Sequence, residues 1–473
     1  MILGIDQGTT GTRACLVAED LTIQRSAYAA HAQHAPRPGW VEHDPAEILA
    51  CTRRVIAEVL AAGERPEAIA IANQGETCLL WDARTGEPVH RALVWQDTRT
   101  EDRLAVLAPH AERIRALTGL RLDSYFSASK LAWLLDAVPG ARARAAAGHL
   151  RAGTLDTWLV ERLTGGRVFA TDASTAARTL LCETVTCTWS DELCALFDVP
   201  RSLLPEIRDC DAGFGDHEGI PILASMVDQP AAMLGQGCVD AGDVKATFGT
   251  GCFVYANAGT TRPGGGRTLA TVAWRRGGQT TYALDGGVLT VGAALAWVRS
   301  LGLPSQVAET GSGGGGNTVF VPALVGLGAP HWDRAARAAW LDLDASTSAE
   351  DLVAAVREGI ACRAVEVIHA IERDAGVTVN VLRVDGGLAR DRGLVQRVAD
   401  LLGVPAEVAE EEEATVVGVA AMAALRLGRL GVDDLRARRA RGQARVSPAI
   451  TAAERAARLH RWQGALARAR QWR

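Results

Sequence analysis

The sequence predicts an α/β protein made of two halves of similar design. Short apolar segments typical of buried strands alternate with longer segments whose apolar residues recur at helical spacing. A pattern of strand, glycine turn and strand at residues 2–17 appears again at residues 243–255, about half a chain later. The length of 473 residues suits two domains better than one hydrophobic core. We therefore expect duplicated halves that face each other, with domains at residues 1–240 and 241–473.

The composition excludes several classes of function. A hydrophobic content of 48% and a charged content of 22% are typical of soluble globular proteins. The formal net charge of -5 is mild for this length, so it favours small molecules over nucleic acid or a membrane surface as partners. The chain starts directly in an apolar strand, which predicts no signal peptide and no membrane-spanning segment. The ten cysteines include no C-x-x-C pair, so we expect buried thiols of a cytoplasmic protein instead of zinc ligands.

The opening hairpin is the first candidate site. An apolar strand, Ile2 to Ile5, reaches Asp6, and the turn after it carries two glycines and two threonines before a second strand begins at Ala14. Backbone N–H groups and threonine hydroxyls in such a turn can hold a phosphate, and a carboxylate at the strand end can hold Mg²⁺. An ordinary tight hairpin has the same composition, so this stretch alone leaves both interpretations open.

The rest of the first half alternates helices and strands. Asp44 and Pro45 predict the start of a helix. Polar residues at 73–77 end one strand, and open α/β sheets bind ligands at strand ends. The small polar stretch 172–178 predicts a loop near a site. We predict helices over residues 46–62, 101–117, 127–136 and 153–164, and strands over residues 68–72, 78–82, 92–95 and 220–225.

A single carboxylate, Asp228, ends the last strand of the first half. It lies just before a helix that we expect to begin at about Pro230, and the positive field of a helix N-terminus favours an ionised carboxylate. A helix N-cap has the same local sequence, so the alternative to a catalytic role is a structural cap.

The second half repeats the scheme. We predict strands over residues 269–274, 279–285, 319–322 and 379–384, and helices over residues 291–300, 348–374, 415–427 and from about 435 to the end of the chain. The strand over 379–384 ends at Asp385 and a glycine pair, where the backbone allows a nucleoside to approach closely. Residues 311–316 match G-x-G-x-x-G, but no strand precedes them and a strand follows, so we interpret them as a flexible loop.

These pieces suit phosphoryl transfer. Two hairpins facing each other across a cleft can clasp a triphosphate, and the sequence has no G-x-x-x-x-G-K-[ST] motif that would do so as a P-loop. Phosphoryl transfer needs positioning, neutralisation of charge and a base at the accepting hydroxyl, and Asp228 fits that last role.

The chain resembles the FGGY family of carbohydrate kinases, within the actin-like and hexokinase-like ATPase superfamily, and in that family it is most similar to glycerol kinases. No single motif is specific, but their order and spacing over nearly the whole chain are. The motifs that carry the resemblance are Gly4 to Thr10, Asn73 to Thr77, Val94 to Arg99, Tyr125 to Ser127, Gly153 to Leu159, Asp228 and Gln229, Phe248 to Phe253, Gly326 to Pro330 and Asp385 to Gly387. The resemblance implies two RNase-H-like α/β domains with a central cleft that closes on the substrate.

The resemblance also implies roles for individual residues. Asp228 would be the catalytic base and Asp6 would support Mg²⁺. The residues implied to contact ATP are Thr9, Thr10, Arg13, Gly249, Thr250, Gly251, Gly292 and Gly387. The residues implied to line the polyol pocket are Gly75, Glu76, Trp95, Tyr125, Asp228, Gln229 and Phe253. Simpler interpretations exist: Trp95 and Phe253 as core aromatics, Tyr125 as a buried hydrogen-bonded phenol and Glu76 as a surface charge.

Two departures from glycerol kinases limit this transfer. Glycerol kinases have an arginine that hydrogen-bonds the substrate hydroxyls at the position of Gly75. We expect its loss to weaken glycerol binding and to open volume for a larger or differently oriented polyol. The loop by which some bacterial glycerol kinases bind a sugar bisphosphate is shortened to residues 216–219, so feedback through that site is not expected.

The sequence therefore predicts an ATP-dependent kinase that phosphorylates a primary hydroxyl of a small polyol or sugar, with ATP and Mg²⁺ as cofactors. The alternatives are a ketopentose kinase of the same family, of the xylulose or ribulose type, and a non-catalytic nucleotide-binding switch protein. A homodimer is an expectation from the resemblance alone.

Overall fold

The computed structural model describes residues 1–264, 266–304, 317–409, 413–438 and 444–470. In the first half the strands are β1 (Ile2–Gln7), β2 (Gly11–Val17), β3 (Ile23–Ala30), β4 (Glu42–His43), β5 (Ala68–Asn73), β6 (Cys78–Asp82), β7 (Ala92–Leu93), β8 (Leu150–Thr154), β9 (Ala170–Asp172), β10 (Cys182–Glu183), β11 (Thr188–Trp189), β12 (Glu206–Arg208), β13 (Asp216–His217) and β14 (Ile220–Val227). The helices of this half are α1 (Pro45–Leu60), α2 (Glu101–Leu107), α3 (Ala111–Thr118), α4 (Ser127–Ala137), α5 (Ala141–Ala146), α6 (Leu155–Leu163), α7 (Ala173–Ala176), α8 (Asp191–Phe197) and α9 (Asp228–Gly235).

The second half continues the alternation. Its strands are β15 (Val244–Phe248), β16 (Cys252–Gly259), β17 (Leu269–Arg276), β18 (Gln279–Val288), β19 (Val319–Val321), β20 (Ala339–Leu341), β21 (Leu382–Asp385), β22 (Ala406–Val408) and β23 (Ala444–Val446). Its helices are α10 (Gly292–Ser300), α11 (Ala349–Ala375), α12 (Arg392–Leu402), α13 (Ala414–Arg426), α14 (Val432–Arg438) and α15 (Ala452–Arg470).

The two large sheets share one topology. The first has the order β13-β14-β5-β1-β2-β3, with β1, β2 and β3 antiparallel and with β5 and β14 parallel to β1. The second has the order β17-β18-β16-β15-β21-β22-β23, with β15, β16 and β18 antiparallel and with β21 and β22 parallel to β15. Each half therefore has the three antiparallel and two parallel strands expected of an RNase-H-like domain.

The strand register gathers the candidate site at one edge of the first sheet. Gln7 at the end of β1 pairs with Asn73 at the end of β5, and Asn73 pairs with Val227 at the end of β14. Because parallel strands end at the same edge, the residues that follow them lie together. Asp228 follows Val227 directly and is the first residue of α9.

Two helices, α9 and α13, lie against each other and connect the halves. A methyl group on Gly235 of α9 would lie 2.0 Å from the carbonyl oxygen of Ala414 in α13, so the two backbones are in contact. Although α13 comes late in the chain, it packs on the first sheet, where a methyl group on Gly4 would lie 2.6 Å from Val416 Cγ1. Its apolar residues form one buried cluster with residues of β1, β2, β5 and β14.

Most predicted elements are present, with four differences. The stretch 172–178, predicted to be a loop, contains the last residue of β9 and the short helix α7, because the Asp172 side chain accepts hydrogen bonds from the N–H groups of Ser174 and Thr175 and caps that helix. The predicted helix over 101–117 is interrupted by a turn of 3₁₀ helix that contains Pro109, because proline cannot donate the backbone hydrogen bond of a continuous helix. The helix expected at about Pro230 begins at Asp228. The C-terminal region is not helical throughout, since β23 forms the edge of the second sheet before α15 begins. The predicted loop at 311–316 lies outside the described residues.

Two further expectations concern membranes and cysteines. Within the part of the chain that the structure describes, no helix is both long enough and apolar enough to span a bilayer. All ten cysteines are buried free thiols, as the sequence predicts. No group of three or more histidine, cysteine or acidic side chains arranged for a metal occurs among the described residues.

Candidate active site

The first hairpin connects β1 to β2 and is closed by a backbone hydrogen bond. The N–H of Gly8 donates to the carbonyl oxygen of Gly11 at 3.0 Å. The indole N–H of Trp95 donates to Thr9 Oγ1 at 3.0 Å, and Gln74 Nε2 donates to the carbonyl oxygen of Gly8 at 3.2 Å. The turn is thus held from the side of the predicted polyol pocket, while Thr10 is exposed.

Asp6 fits a bound cation. Its Oδ1 atom is buried and has no hydrogen-bond partner among the described residues. The pKa of Asp6 is raised to about 8, first by burial and then by the nearby carboxylates of Asp228 and Glu413, while the charge of Arg13 opposes the rise. A buried carboxylate next to other carboxylates gains most from a divalent cation, which replaces the missing partner and neutralises the repulsion.

Arg13 lies opposite Asp6 in the β1–β2 pair. Its Nε atom forms an ion pair of 2.9 Å with Glu413, the residue that precedes α13. Its guanidinium also lies 5.1 Å from the centre of the Tyr28 ring. The ion pair joins the first hairpin to the segment that enters the helix between the halves.

The second hairpin connects β15 to β16 and is built in the same way. The N–H of Gly249 donates to the carbonyl oxygen of Gly251 at 2.8 Å. The N–H of Gly292, at the start of α10, donates to the carbonyl oxygen of Gly249 at 3.0 Å, and a methyl group on Gly292 would lie 3.4 Å from Leu388 Cδ1. A methyl group on Gly386 would lie 2.5 Å from the carbonyl oxygen of Phe248. The structure therefore brings together the glycines predicted to contact a nucleotide, including the neighbours of Gly387.

Asp228 is partly buried at the edge where β1, β5 and β14 end. Its pKa is raised to about 7, first by burial and then by the carboxylate of Glu76, while the N–H of Gln229 and the charges of Lys245 and Arg178 oppose the rise. Its Oδ1 accepts a hydrogen bond from the backbone N–H of Gln229 at 2.6 Å. The N-cap position of α9 is Val227, so the structure does not support the alternative in which Asp228 is a helix cap.

Three aromatic side chains form one side of the predicted polyol pocket. The ring centres of Trp95 and Tyr125 are 5.4 Å apart, and those of Trp95 and Phe253 are 6.3 Å apart. Trp95 and Tyr125 belong to the first half and Phe253 to the second, so the group spans the cleft. All three are only partly buried, which favours pocket walls over core aromatics.

Glu76 belongs to a buried network that the sequence analysis did not identify. Its side chain is buried, so the interpretation as a surface charge is wrong. Arg178 Nε donates to Glu76 Oε1 at 2.7 Å, and Arg178 Nη2 lies 3.0 Å from Asp285 Oδ2. The hydroxyl of Tyr255 donates to the same Asp285 oxygen at 3.0 Å. Burial raises the pKa of both carboxyls, and the Arg178 charge opposes that rise.

Two buried lysines also support the site. Lys245 Nζ donates to Gln229 Oε1 at 2.7 Å and to Thr247 Oγ1 at 2.6 Å, and this links the strand of the second hairpin to the residue after Asp228. Lys130 Nζ donates to the carbonyl oxygen of Tyr125 at 2.9 Å, and burial lowers the pKa of Lys130 to about 8. Both lysines hold residues predicted to line the polyol pocket.

Gly75 has close neighbours. A methyl group at this position would lie 3.1 Å from Val227 Cγ1 and 3.4 Å from Arg178 Cγ. The first atom of a side chain at residue 75 would therefore lie close to β14 and to the stem of Arg178. These contacts describe only that first atom, so the added volume for a larger polyol stays a prediction.

Some site residues were not predicted from the sequence, because the local pattern around each of them is only a weak indication of its place in the site. Arg178 ends the polar stretch 172–178, which was predicted to lie near a site, but a local pattern does not show which of its side chains faces the cleft. Lys245 and Asp285 lie within strands, where alternation predicts only burial, and buried charged residues need a partner that is distant in sequence.

Comparison with known proteins places both halves in one family. The profile of the FGGY family of carbohydrate kinases, N-terminal domain, matches residues 1–235, and that of the C-terminal domain matches residues 244–427. A glycerol kinase of Aromatoleum aromaticum is 43% identical over 492 residues, which cover 100% of this chain and 99% of that protein. A glycerol kinase of Alkalilimnicola ehrlichii is 45% identical over 498 residues, with 100% and 98% covered.

Solved structures agree. The crystal structure of Plasmodium falciparum glycerol kinase with ADP superimposes with a TM-score of 0.93 and 31% sequence identity, covering 99% of this chain and 98% of that one. A xylulose kinase from Rhodospirillum rubrum superimposes with a TM-score of 0.85 at 24% identity, covering 98% and 97%, and this likeness supports the fold alone. The prediction of two RNase-H-like domains of the actin and hexokinase superfamily is confirmed.

Proposed function

Since this chain belongs to the FGGY family of carbohydrate kinases and is an ATP-dependent kinase, we propose that it transfers the γ-phosphoryl group of ATP to a primary hydroxyl of glycerol or a closely related small polyol. Glycerol is the substrate in the names of relatives that are 43% and 45% identical over the full chain. The ketopentose kinase alternative rests on structures of lower identity, and no contact in the site favours it.

The observation that carries the proposal is the position of Asp228. It lies at the edge of the first sheet, between the Glu76 network and Lys245, and its pKa of about 7 suits a group that must accept a proton near neutral pH. In the proposed step, the Asp228 carboxylate takes the proton of the primary hydroxyl as that oxygen bonds to the γ-phosphorus. The bond between the γ-phosphorus and the bridging oxygen breaks, and ADP leaves.

The two hairpins and Asp6 supply the binding side of the reaction. We assign the phosphates to the turns at Thr9, Thr10 and Arg13 and at Gly249, Thr250 and Gly251, with Gly292 and Gly387 along the nucleotide. Asp6 would hold Mg²⁺, which neutralises phosphate charge when bound. The support is Asp6 Oδ1, which has no hydrogen-bond partner in the described part of the chain, and the contact of the second hairpin with both glycine turns.

The substrate contacts are proposed on the same basis. Gly75, Glu76, Trp95, Tyr125, Gln229 and Phe253 would line the polyol pocket beside Asp228. The three aromatic rings would cover the apolar face of the substrate's carbon chain, while carboxylate and amide side chains would bind its hydroxyls.

The test combines a substrate panel with one substitution. Glycerol, erythritol, xylitol, xylulose and ribulose are compared in a coupled assay of ADP release. We expect glycerol to give the highest kcat/KM, and Asp228→Asn to lower kcat about 10²- to 10⁴-fold. Asp400→Asn is the control, because Asp400 is a carboxylate with little exposure that bonds to Gln396 and Ala449, away from the pocket. A near-normal rate for Asp228→Asn contradicts the assignment of the base.

Two further proposals concern the cell compartment and the assembly. We place the reaction in the cytoplasm, because ten buried free thiols suit a reducing compartment. A homodimer stays a prediction, which size-exclusion chromatography with light scattering decides.

A further inference from the structure

Arg178 is a fully buried cation held at two of its three guanidinium nitrogens. Its side chain is 2% exposed. Nε is 2.7 Å from Glu76 Oε1 and Nη2 is 3.0 Å from Asp285 Oδ2. Because the guanidinium is planar and rigid, these two contacts also fix the direction of the third nitrogen, Nη1. The arginine is therefore oriented before any ligand arrives.

The third nitrogen is the unexplained feature. Nη1 is buried and has no hydrogen-bond partner among the described residues. A buried N–H of a charged group without an acceptor costs free energy, so nearly all such groups in folded proteins have a partner. The missing acceptor is therefore to be sought in a molecule that enters the cleft.

The position of Arg178 indicates which molecule that is. Its guanidinium carbon lies 5.8 Å from the centre of the Tyr125 ring, and Tyr125 is in turn next to Trp95. Its Cγ atom lies 3.4 Å from the point where a side chain on Gly75 would begin. Arg178 also contributes to the electrostatic environment of Asp228. A ligand within reach of these groups lies in the polyol pocket.

We propose that Arg178 binds the substrate, its Nη1 donating a hydrogen bond to a polyol hydroxyl other than the one that is phosphorylated. This inference rests on the proposed function and extends it by naming a specificity determinant. It also explains why residue 75 can be a glycine. The cationic side chain that donates a hydrogen bond to the substrate comes from residue 178, after α7, and not from residue 75. A chain with at least two hydroxyls is then preferred over a monohydric alcohol.

The competing explanation is structural: Arg178 only joins Glu76 to Asp285. The two explanations differ in how the loss of activity depends on the substrate. A hydrogen bond to one hydroxyl matters only for substrates that have that hydroxyl, whereas a structural ion pair affects every substrate alike.

The experiment combines a substitution in the protein with the removal of one hydroxyl from the substrate, as in a double-mutant cycle. Arg178→Lys is compared with the unmodified protein on glycerol, propane-1,2-diol and propane-1,3-diol, with kcat/KM from ADP release. We expect a loss of about 10- to 100-fold on glycerol and of about 3-fold or less on the diol that lacks the bonded hydroxyl. Arg363→Lys is the control, because Arg363 is equally buried but bonds to Glu366 and Ala329 in the second half. Equal losses on all three substrates overturn the proposal.

A second variant covers the case in which Arg178→Lys does not fold. Asp285→Asn keeps the side-chain volume but weakens the anchor of Nη2, and it should give a smaller loss with the same dependence on substrate. A loss that is uniform across substrates for this variant also overturns the inference.

Calorimetric binding of glycerol and the two diols separates this inference from the proposed function. If the unmodified protein binds glycerol without phosphorylating it, the proposed function fails and the Kd values of the variants decide the role of Arg178. If it binds none of the three, both are overturned.

Discussion

A methyl group on Gly418 would lie 1.7 Å from the carbonyl oxygen of Ala231, because α13 and α9 cross with their backbones in contact. Gly235 makes the reciprocal approach to Ala414 at 2.0 Å. A glycine is needed in each helix for this crossing, since any side chain would push the helices apart. The crossing fixes Asp228, at the start of α9, relative to the segment that enters α13.

Gly418→Ala is therefore expected to destabilise the protein. Overpacking a tight core contact costs about 1–3 kcal/mol, and the backbone contact here places the effect at the upper end. Urea denaturation followed by circular dichroism measures the free energy of unfolding. Gly464→Ala is the control within α15, where the nearest atom is the flexible end of Arg468 at 3.4 Å, and it should gain up to about 1 kcal/mol. If Gly418→Ala and Gly464→Ala change the free energy of unfolding equally, the close contact between α9 and α13 is contradicted.

The rate should rise with pH through neutrality. The pKa of Asp228 is raised from 3.8 to about 7, so the carboxyl is protonated below this pH and cannot accept the hydroxyl proton. Above it the carboxylate is available, and kcat/KM reaches a plateau. A profile of log kcat/KM between pH 5.5 and 9 should fall with unit slope on the acid side. A flat profile over this range is inconsistent with Asp228 as the base.

Lys245→Met should move that profile to higher pH. The positive charge of Lys245 lowers the pKa of Asp228, so its removal raises the pKa and the midpoint of the profile with it. Lys130→Met is the matched control, since Lys130 is as buried but holds the backbone carbonyls of Trp95 and Tyr125. It should raise KM for the polyol and leave the midpoint within about 0.3 pH units. If the midpoint shifts with Lys130→Met and not with Lys245→Met, then Lys130 and not Lys245 is the lysine that lowers the pKa of Asp228.

Restoring the family arginine should not restore its function. In Gly75→Arg the new side chain begins 3.1 Å from Val227 and 3.4 Å from the stem of Arg178, so we expect a loss of about 1–3 kcal/mol in stability and no decrease in KM for glycerol. Thermal unfolding and steady-state kinetics measure both. Gly213→Arg is the control, because no atom of the residues that the structure describes lies within 4 Å of the position where a side chain would begin there. A lower KM for glycerol in Gly75→Arg would mean that Arg178 does not already supply the hydrogen bond to the substrate hydroxyls.

Much of the fold was predictable because it repeats a local pattern. The hairpins after Asp6 and Thr247 are visible as strand, glycine turn and strand, and both are present with the predicted partners. The strand over 68–72 and Asp228 could be placed at one edge because parallel strands of an α/β sheet end together. Such features depend on residues close in sequence.

What escaped prediction depends on contacts between distant residues. Arg178 meets Glu76 across 102 positions in the chain, and no local pattern connects them. The strand β23 is only three residues long and lies in a stretch predicted to be helical, because its pairing with β22, and not its own composition, decides its conformation. The crowding beside Gly75 likewise follows from the side chain of Arg178, which lies elsewhere in the sequence.

The place of α13 affects how the chain acquires its structure during synthesis. The first sheet is complete by Val227, yet one of its faces is covered by a helix that begins at Ala414. The first half therefore leaves the ribosome with an apolar face exposed, and nearly two hundred further residues must follow before that face can be closed. The appearance of α13, and not completion of the first half, is then the event that allows the active-site edge to reach its final shape.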